Sequence, residues 1–167
     1  MTIVTPCCES NQPKSPALLG ATLDNQSQNI LEETMNETIF PGIVSCLGLL
    51  VYYFTLYQSG MARGKFDVQA PSHEGPEAYQ CYVRAHQNTL EHLVLFLPGL
   101  WLFAFAVDHI WAASIGLLWP VGRLLYALGY YKAPEKRTMG LLISMPPIYI
   151  FVVGALIAFV MDVFELF

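Results

Sequence analysis

Two long stretches of the chain, residues 38–62 and residues 138–161, carry no charged side chain. Each exceeds the roughly 20 residues that an α-helix needs to cross a bilayer. Over the whole chain 54% of the residues are hydrophobic and only 13% are charged, and that charged share is about half of what soluble domains carry. We therefore expect an integral membrane protein built from helices.

Hydropathy predicts four membrane-spanning helices, at about residues 39–58, 77–107, 110–131 and 140–161. The strictly apolar part of the second span is too short to cross alone, so this span must include the polar turns that precede it. Because the links between spans are short, residues 37–167 are predicted to form an all-α, four-transmembrane-helix antiparallel bundle. The aromatic side chains predicted to lie at the membrane interface are Trp101, Trp111, Trp119, Tyr130 and Tyr131.

Residues 1–36 are rich in polar side chains and lack apolar periodicity, which predicts a mobile polar tail. The net charge of −5 is concentrated there, with Lys14 the single basic residue of that segment. No basic patch with interleaved aromatic residues occurs, which argues against nucleic-acid binding. The four cysteines have no CxxC spacing and the four histidines are scattered, so we predict free thiols and no metal site.

The basic residues of the short loops predict the orientation of the chain in the membrane. The first loop contains Arg63 and Lys65, the third contains Lys132, Lys136 and Arg137, and the second contains neither lysine nor arginine. Positive charge favours the cytoplasmic side, so loops 1 and 3 are predicted to be cytoplasmic, with both termini opposite. A bacterial inner membrane and the endoplasmic reticulum are both compatible with this prediction.

A polar stripe interrupts the second span. Arg84, Asn88 and Glu91 are offset by four and seven residues, which places them within roughly 60° of one helix face. Ionisable groups at membrane depth are unfavourable unless they face a partner or a wet cavity, and they commonly mark a functional site. This stripe is the first candidate binding surface.

The third span repeats the pattern with Arg123, Tyr126 and Tyr130, at offsets of three and seven. Both stripes lie toward the predicted cytoplasmic ends of their helices, where Arg63 and Arg137 enter from the loops. Arginine forks bind carboxylates in bidentate geometry, and a carboxylate such as that of the second span suits an ammonium group. The site is predicted to bind a small zwitterionic molecule with several carboxylates.

Several of these assignments have structural alternatives. Arg123 fits an ion pair with Glu91 or with a neighbouring subunit as well as it fits a ligand contact. Arg63 fits the role of a topology-determining charge, and Tyr126 and Tyr130 fit that of interface aromatics.

Two sequence patterns and one loop residue together resemble a known family. Residues 84–91 read RAHQNTLE, residues 121–130 read VGRLLYALGY, and Arg137 follows a short basic loop. This combination resembles the MAPEG family, the membrane-associated proteins in eicosanoid and glutathione metabolism, over about residues 38–163. The resemblance implies four-helix protomers that form homotrimers, with glutathione bound between subunits near the cytoplasmic side.

The resemblance also implies roles for individual residues. Arg137 would be catalytic, because a guanidinium beside a thiol lowers the pKa of that thiol and the thiolate is the nucleophile. The residues that would bind glutathione are Arg63, Arg84, Asn88, Glu91, Tyr126 and Tyr130.

The activity implied is the transfer of glutathione to lipophilic electrophiles from the bilayer, in detoxification or lipid metabolism, with reduction of lipid hydroperoxides left open. The opening Arg84-Ala-His86 is closer to the prostaglandin synthase branch, so a glutathione-dependent isomerase also remains open. A non-catalytic lipid-binding or lipid-presenting protein of the same fold is another alternative. A purely structural or transporter role would instead predict tolerance of Asn88→Ala.

Overall fold

The computed structural model describes residues 16–72 and 74–165, and its chain divides into two compact units, residues 1–36 and residues 37–167. In the first unit, residues 16–36 are helical as the beginning of α1 (Pro16–Lys65). A helix was not predicted for this polar segment, although it contains good helix formers such as Leu, Glu and Gln. The mobility of residues 1–36 and their status as a separate domain stay predictions. Cys7 and Cys8 lie outside the described residues.

The second unit is helical in all its regular elements, within the described residues. After α1 come α2 (Glu77–Ala106), α3 (His109–Gly116), α4 (Leu118–Lys132), a short 3-10 helix (Pro134–Arg137) and α5 (Thr138–Glu165). Four segments are long and apolar enough to cross a membrane: Glu37–Lys65, Glu77–Ala106, His109–Lys132 and Pro134–Glu165. The predicted fold class, with its four spans, is confirmed.

The third span is two helices rather than the single helix expected from hydropathy. α3 ends at Gly116 and α4 begins at Leu118. Pro120 has no backbone N–H, so the carbonyl of Gly116 lacks its usual donor four residues later, and the helix is interrupted there. α3 starts at a defined cap, because the Asp108 carboxylate accepts hydrogen bonds of 2.8 Å from the backbone N–H groups of Ile110 and Trp111.

Stacked aromatic rings between the helices form the centre of the hydrophobic core. The rings of Phe96 on α2 and Trp119 on α4 stack with centroids 4.4 Å apart. Gly48 on α1 leaves room for this indole, since a Cβ there would come within 3.3 Å of its Cζ3 atom. Trp119 is fully buried, so its prediction as an interface anchor is wrong. Trp111 remains exposed, as an interface residue requires.

α4 and α5 cross with their backbones in contact, at positions where both helices carry glycine. A Cβ on Gly140 would collide with the backbone of Tyr126, and one on Gly122 would lie 2.7 Å from the backbone nitrogen of Ser144. Small residues allow transmembrane helices to approach this closely. The crossing fixes α4 against the start of α5 and the 3-10 helix that precedes it.

Candidate functional site

Polar side chains from three elements line one cavity of about 390 Å³. Its volume falls within the roughly 300–1,000 Å³ of small-molecule sites. The cavity lies near the beginning of α2 and the end of α4, at the end of the bundle that carries the first and third loops. The lining residues are Arg84, Gln87, Asn88, Glu91, Tyr126, Tyr130 and Arg137.

The charges and exposure of the lining divide it into an open rim and an inner wall. Arg84, Glu91 and Arg137 are exposed, and two guanidinium groups with one carboxylate give the rim a single net positive charge. Tyr126 and Tyr130 are 4% and 8% exposed and form the wall. A polar ligand can therefore enter from the surface and meet charged groups before it reaches the phenol rings.

Arg137 is held against the wall by its neighbour on α4. Its Nη1 donates a 2.8 Å hydrogen bond to the hydroxyl of Tyr130, and its guanidinium carbon lies 5.0 Å from the centre of that ring. The 3-10 helix that carries Arg137 begins at Pro134, which favours the opening turn of a helix. Gly129 lets this turn approach α4, because a Cβ there would lie 2.5 Å from the carbonyl oxygen of Lys136.

Arg123 is fully buried behind the cavity and is not part of its lining. Its Nη2 donates hydrogen bonds of 3.0 Å to Asn88 Oδ1 and to Thr89 Oγ1. The guanidinium also lies over the ring of Tyr126, 4.3 Å from its centre. These hydrogen bonds end on an amide and a hydroxyl, whereas the Glu91 carboxylate was one of the alternative partners considered from the sequence.

The structure brings six of the seven site residues predicted from the sequence into the cavity lining, and their roles as ligand contacts stay predictions. Arg63, half-buried near the end of α1, does not line this cavity. Gln87 was missed, although its offsets of three from Arg84 and four from Glu91 place it on the same helix face. Thr89 was also missed, since a single buried threonine gives no periodic signal.

The sequence model described as the MAPEG family matches residues 41–157. The matched region contains the second and third spans whole and most of the first and fourth, and it includes every residue that lines the cavity.

The chain is also similar in sequence to individual proteins. An uncharacterized protein of Synechocystis sp. is 42% identical over 125 residues, which is 75% of this chain and 91% of that protein. Microsomal glutathione S-transferase 2 of Mus musculus is 33% identical over 102 residues, covering 61% of this chain and 69% of the mouse protein. Leukotriene C4 synthase of Rattus norvegicus is 31% identical over 119 residues, covering 71% and 79%.

Proposed function

Because the chain belongs to the MAPEG family, we propose that it is a glutathione S-transferase that joins glutathione to lipophilic electrophiles. At the level of the family, the chain is a multi-pass integral membrane protein related to glutathione-dependent enzymes. The similarity to a microsomal glutathione S-transferase supports the more specific proposal, and so does the chemistry of the cavity.

The observation that carries the proposal is the match between the charges of the cavity and those of glutathione. The tripeptide has two carboxylates and one ammonium group at neutral pH, whereas the cavity has two guanidinium groups, of Arg84 and Arg137, and the Glu91 carboxylate. Guanidinium forks bind carboxylates by paired hydrogen bonds, and a carboxylate binds an ammonium. Each charge of the ligand therefore has a charge of opposite sign in the cavity, and the net charges of the ligand and the cavity cancel.

Arg137 provides the chemistry in this proposal. In the transfer, the sulfur forms a bond to the electrophilic carbon, the leaving group departs with its electron pair, and the thiol proton passes to solvent. A positive charge beside the sulfur lowers the pKa of the thiol and keeps more of it as thiolate. Arg137 can supply that charge, since its guanidinium lies at the exposed rim, where one of its nitrogens donates a hydrogen bond to the hydroxyl of Tyr130.

The surroundings of the cavity favour a lipophilic second substrate. Exposed side chains beside the lining on α2 and α4 are apolar, and they include Leu90, Val94, Leu125 and Leu128. On a transmembrane helix such side chains face acyl chains. An electrophile dissolved in the bilayer therefore has a lateral approach to the cavity, while glutathione enters from the cytoplasm, on the side of loops 1 and 3.

We further propose that the functional unit is a homotrimer in which Arg63 completes the cavity of a neighbouring subunit. Arg63 does not line the cavity of its own chain, yet the resemblance assigns an arginine at the end of the first helix to glutathione binding. A site shared between subunits would allow Arg63 to have the role that the resemblance implies without lining the cavity of its own chain.

The proposal is tested with purified protein in detergent or nanodiscs. We expect calorimetry to detect glutathione binding, and a generic aromatic halide to be conjugated at a rate that depends on protein concentration. Binding without conjugation would favour the isomerase alternative. Absence of binding would overturn the proposed function and leave the lipid-binding or structural alternatives.

Glu91→Gln tests the charge match directly. The substitution keeps the size of the side chain but removes the negative charge that faces the ligand's ammonium. A hydrogen bond to a charged group contributes roughly 1.5–3 kcal/mol, so the dissociation constant of glutathione should rise about tenfold or more. Glu74→Gln, in the first loop and outside the cavity lining, removes the same charge and should leave binding unchanged. Equal affinities for the two variants would contradict the assignment of Glu91.

A further inference from the structure

Arg123 touches the cavity lining on two helices without being part of it. It donates a hydrogen bond to Asn88 of α2 and lies against the ring of Tyr126 of α4. Both of these residues line the cavity, whereas Arg123 is fully buried. A residue in this place can act on a ligand only through the side chains that it holds.

Both hydrogens on the Nη2 atom of Arg123 are used in hydrogen bonds to α2. The hydroxyl of Thr89 donates its single proton to the backbone carbonyl of Ala85, at 2.7 Å, so its oxygen can only accept from Arg123. Nη2 carries two hydrogens, and one goes to Thr89 Oγ1 and the other to Asn88 Oδ1. The donor and the acceptor of each hydrogen bond are therefore fixed along the series that runs from the Ala85 carbonyl through Thr89 and Arg123 to Asn88.

This fixed direction determines which end of the Asn88 amide faces the cavity. An amide has one acceptor oxygen and one donor nitrogen. Because Oδ1 accepts from Arg123, the Nδ2 group is left on the other side, where it lies 3.5 Å from Glu91 Oε2. Glu91 is in the cavity lining, so the amide turns its N–H groups toward the ligand.

We infer that Arg123, held by Thr89, is a positioning residue that makes Asn88 a hydrogen-bond donor to an oxygen atom of the ligand. The ligand group it selects is a carboxylate or a peptide carbonyl, and not an amide N–H. This inference rests on the proposed function, because it takes glutathione as the ligand. A positioning role also gives a reason for the burial of this guanidinium. Two of its nitrogens, Nε and Nη1, have no hydrogen-bond partner in the described part of the chain.

A purely structural role would give a different pattern. A buried cation without a carboxylate partner is poorly compensated, so it adds little to stability. If Arg123 only filled space, the effect of its replacement on ligand affinity would not depend on Asn88. A positioning role requires that dependence, and a double-mutant cycle measures it.

The experiment measures glutathione dissociation constants by calorimetry for Arg123→Lys, Asn88→Ala and the double variant. Lysine keeps the charge but lacks the planar fork that holds two oxygens. We expect Arg123→Lys to weaken binding about tenfold, which corresponds to about 1.4 kcal/mol, and to have no further effect once Asn88 is alanine. Additive effects of the two substitutions would overturn the inference.

Thr89→Val and Thr89→Ser form a second pair that leaves Arg123 in place and serves if Arg123→Lys does not fold. Valine has the shape of threonine without the oxygen that accepts from Arg123, so it should weaken glutathione binding several-fold, whereas serine should restore the affinity. Thr55→Val is the matched control, since Thr55 is also buried and donates to its own helix, at Tyr52 O. It should bind like the unmodified chain.

The outcomes separate the two proposals. If the unmodified chain binds glutathione but Thr89→Val binds equally well, the positioning role fails and the proposed function stands. If the unmodified chain does not bind glutathione, the proposed function fails and this inference fails with it.

Discussion

Replacement of Arg137 by alanine is expected to abolish the thiolate of bound glutathione and, because the cavity loses one of its two guanidinium groups, to raise the dissociation constant of glutathione about tenfold. Arg84, Asn88 and Glu91 still line the cavity in this variant, so the tripeptide keeps its other contacts. Without the guanidinium, the pKa of the thiol returns toward its ordinary value of about 8.5. The ultraviolet absorbance of the thiolate should disappear at neutral pH, and kcat should fall about 10²-fold or more, as when one stabilising donor is removed from an anion site.

The dependence of the thiolate and of the reaction rate on pH should also differ between the unmodified chain and Arg137→Ala. In the unmodified chain a depressed thiol pKa means that the thiolate is present above that pKa and is lost as the pH falls through it. In Arg137→Ala the rate should instead keep rising with pH until about 8.5. Lys136→Ala is the control, since it removes the neighbouring positive charge from a side chain outside the cavity lining. An unchanged thiolate signal in Arg137→Ala would exclude Arg137 from the mechanism.

The residues that α2 contributes to the cavity could be predicted from the sequence, because successive residues of an α-helix are related by a known rotation. Once the second span is helical, the spacing of Arg84, Asn88 and Glu91 determines that they share a face, without any knowledge of the neighbouring helices. The same rule would have added Gln87. The spans themselves were predictable for a similar reason, since their length and lack of charge are properties of the chain alone.

The contacts between helices could not be predicted in this way. The hydrogen bond from Arg123 to Asn88 depends on how α2 and α4 are rotated against each other, which no periodicity within one helix determines. The position of Trp119 also depends on the packing between helices. A tryptophan in an apolar span is typical of the membrane interface, but the indole of Trp119 is buried in the core against Phe96. The break before α4 was readable in principle from Pro120, because the missing N–H is a local property.

Gly140→Ala is expected to disturb the structure more than Gly154→Ala, the same change at the other glycine of α5, where the nearest atoms belong to the Phe103 side chain. A Cβ at this position would collide with the backbone of Tyr126 and lie 2.7 Å from the carbonyl oxygen of Gly122. Backbone atoms cannot move aside as a flexible side chain can, so α4 and α5 must separate. Overpacking of this kind typically destabilises a protein by about 1–3 kcal/mol, occasionally more.

The separation should also reach the site, because Tyr126 lines the cavity and carries the ring on which Arg123 rests. We therefore expect a lower melting temperature together with weaker glutathione binding, measured by thermal unfolding and calorimetry on the same preparations. Gly60→Ala is the matched control, since a Cβ there would meet nothing within 4 Å. In a helix, alanine is favoured over glycine by up to about 1 kcal/mol, so this variant should be as stable as the unmodified chain or more so. Equal melting temperatures for the two alanine variants would show that α4 and α5 do not cross by backbone contact at Gly140.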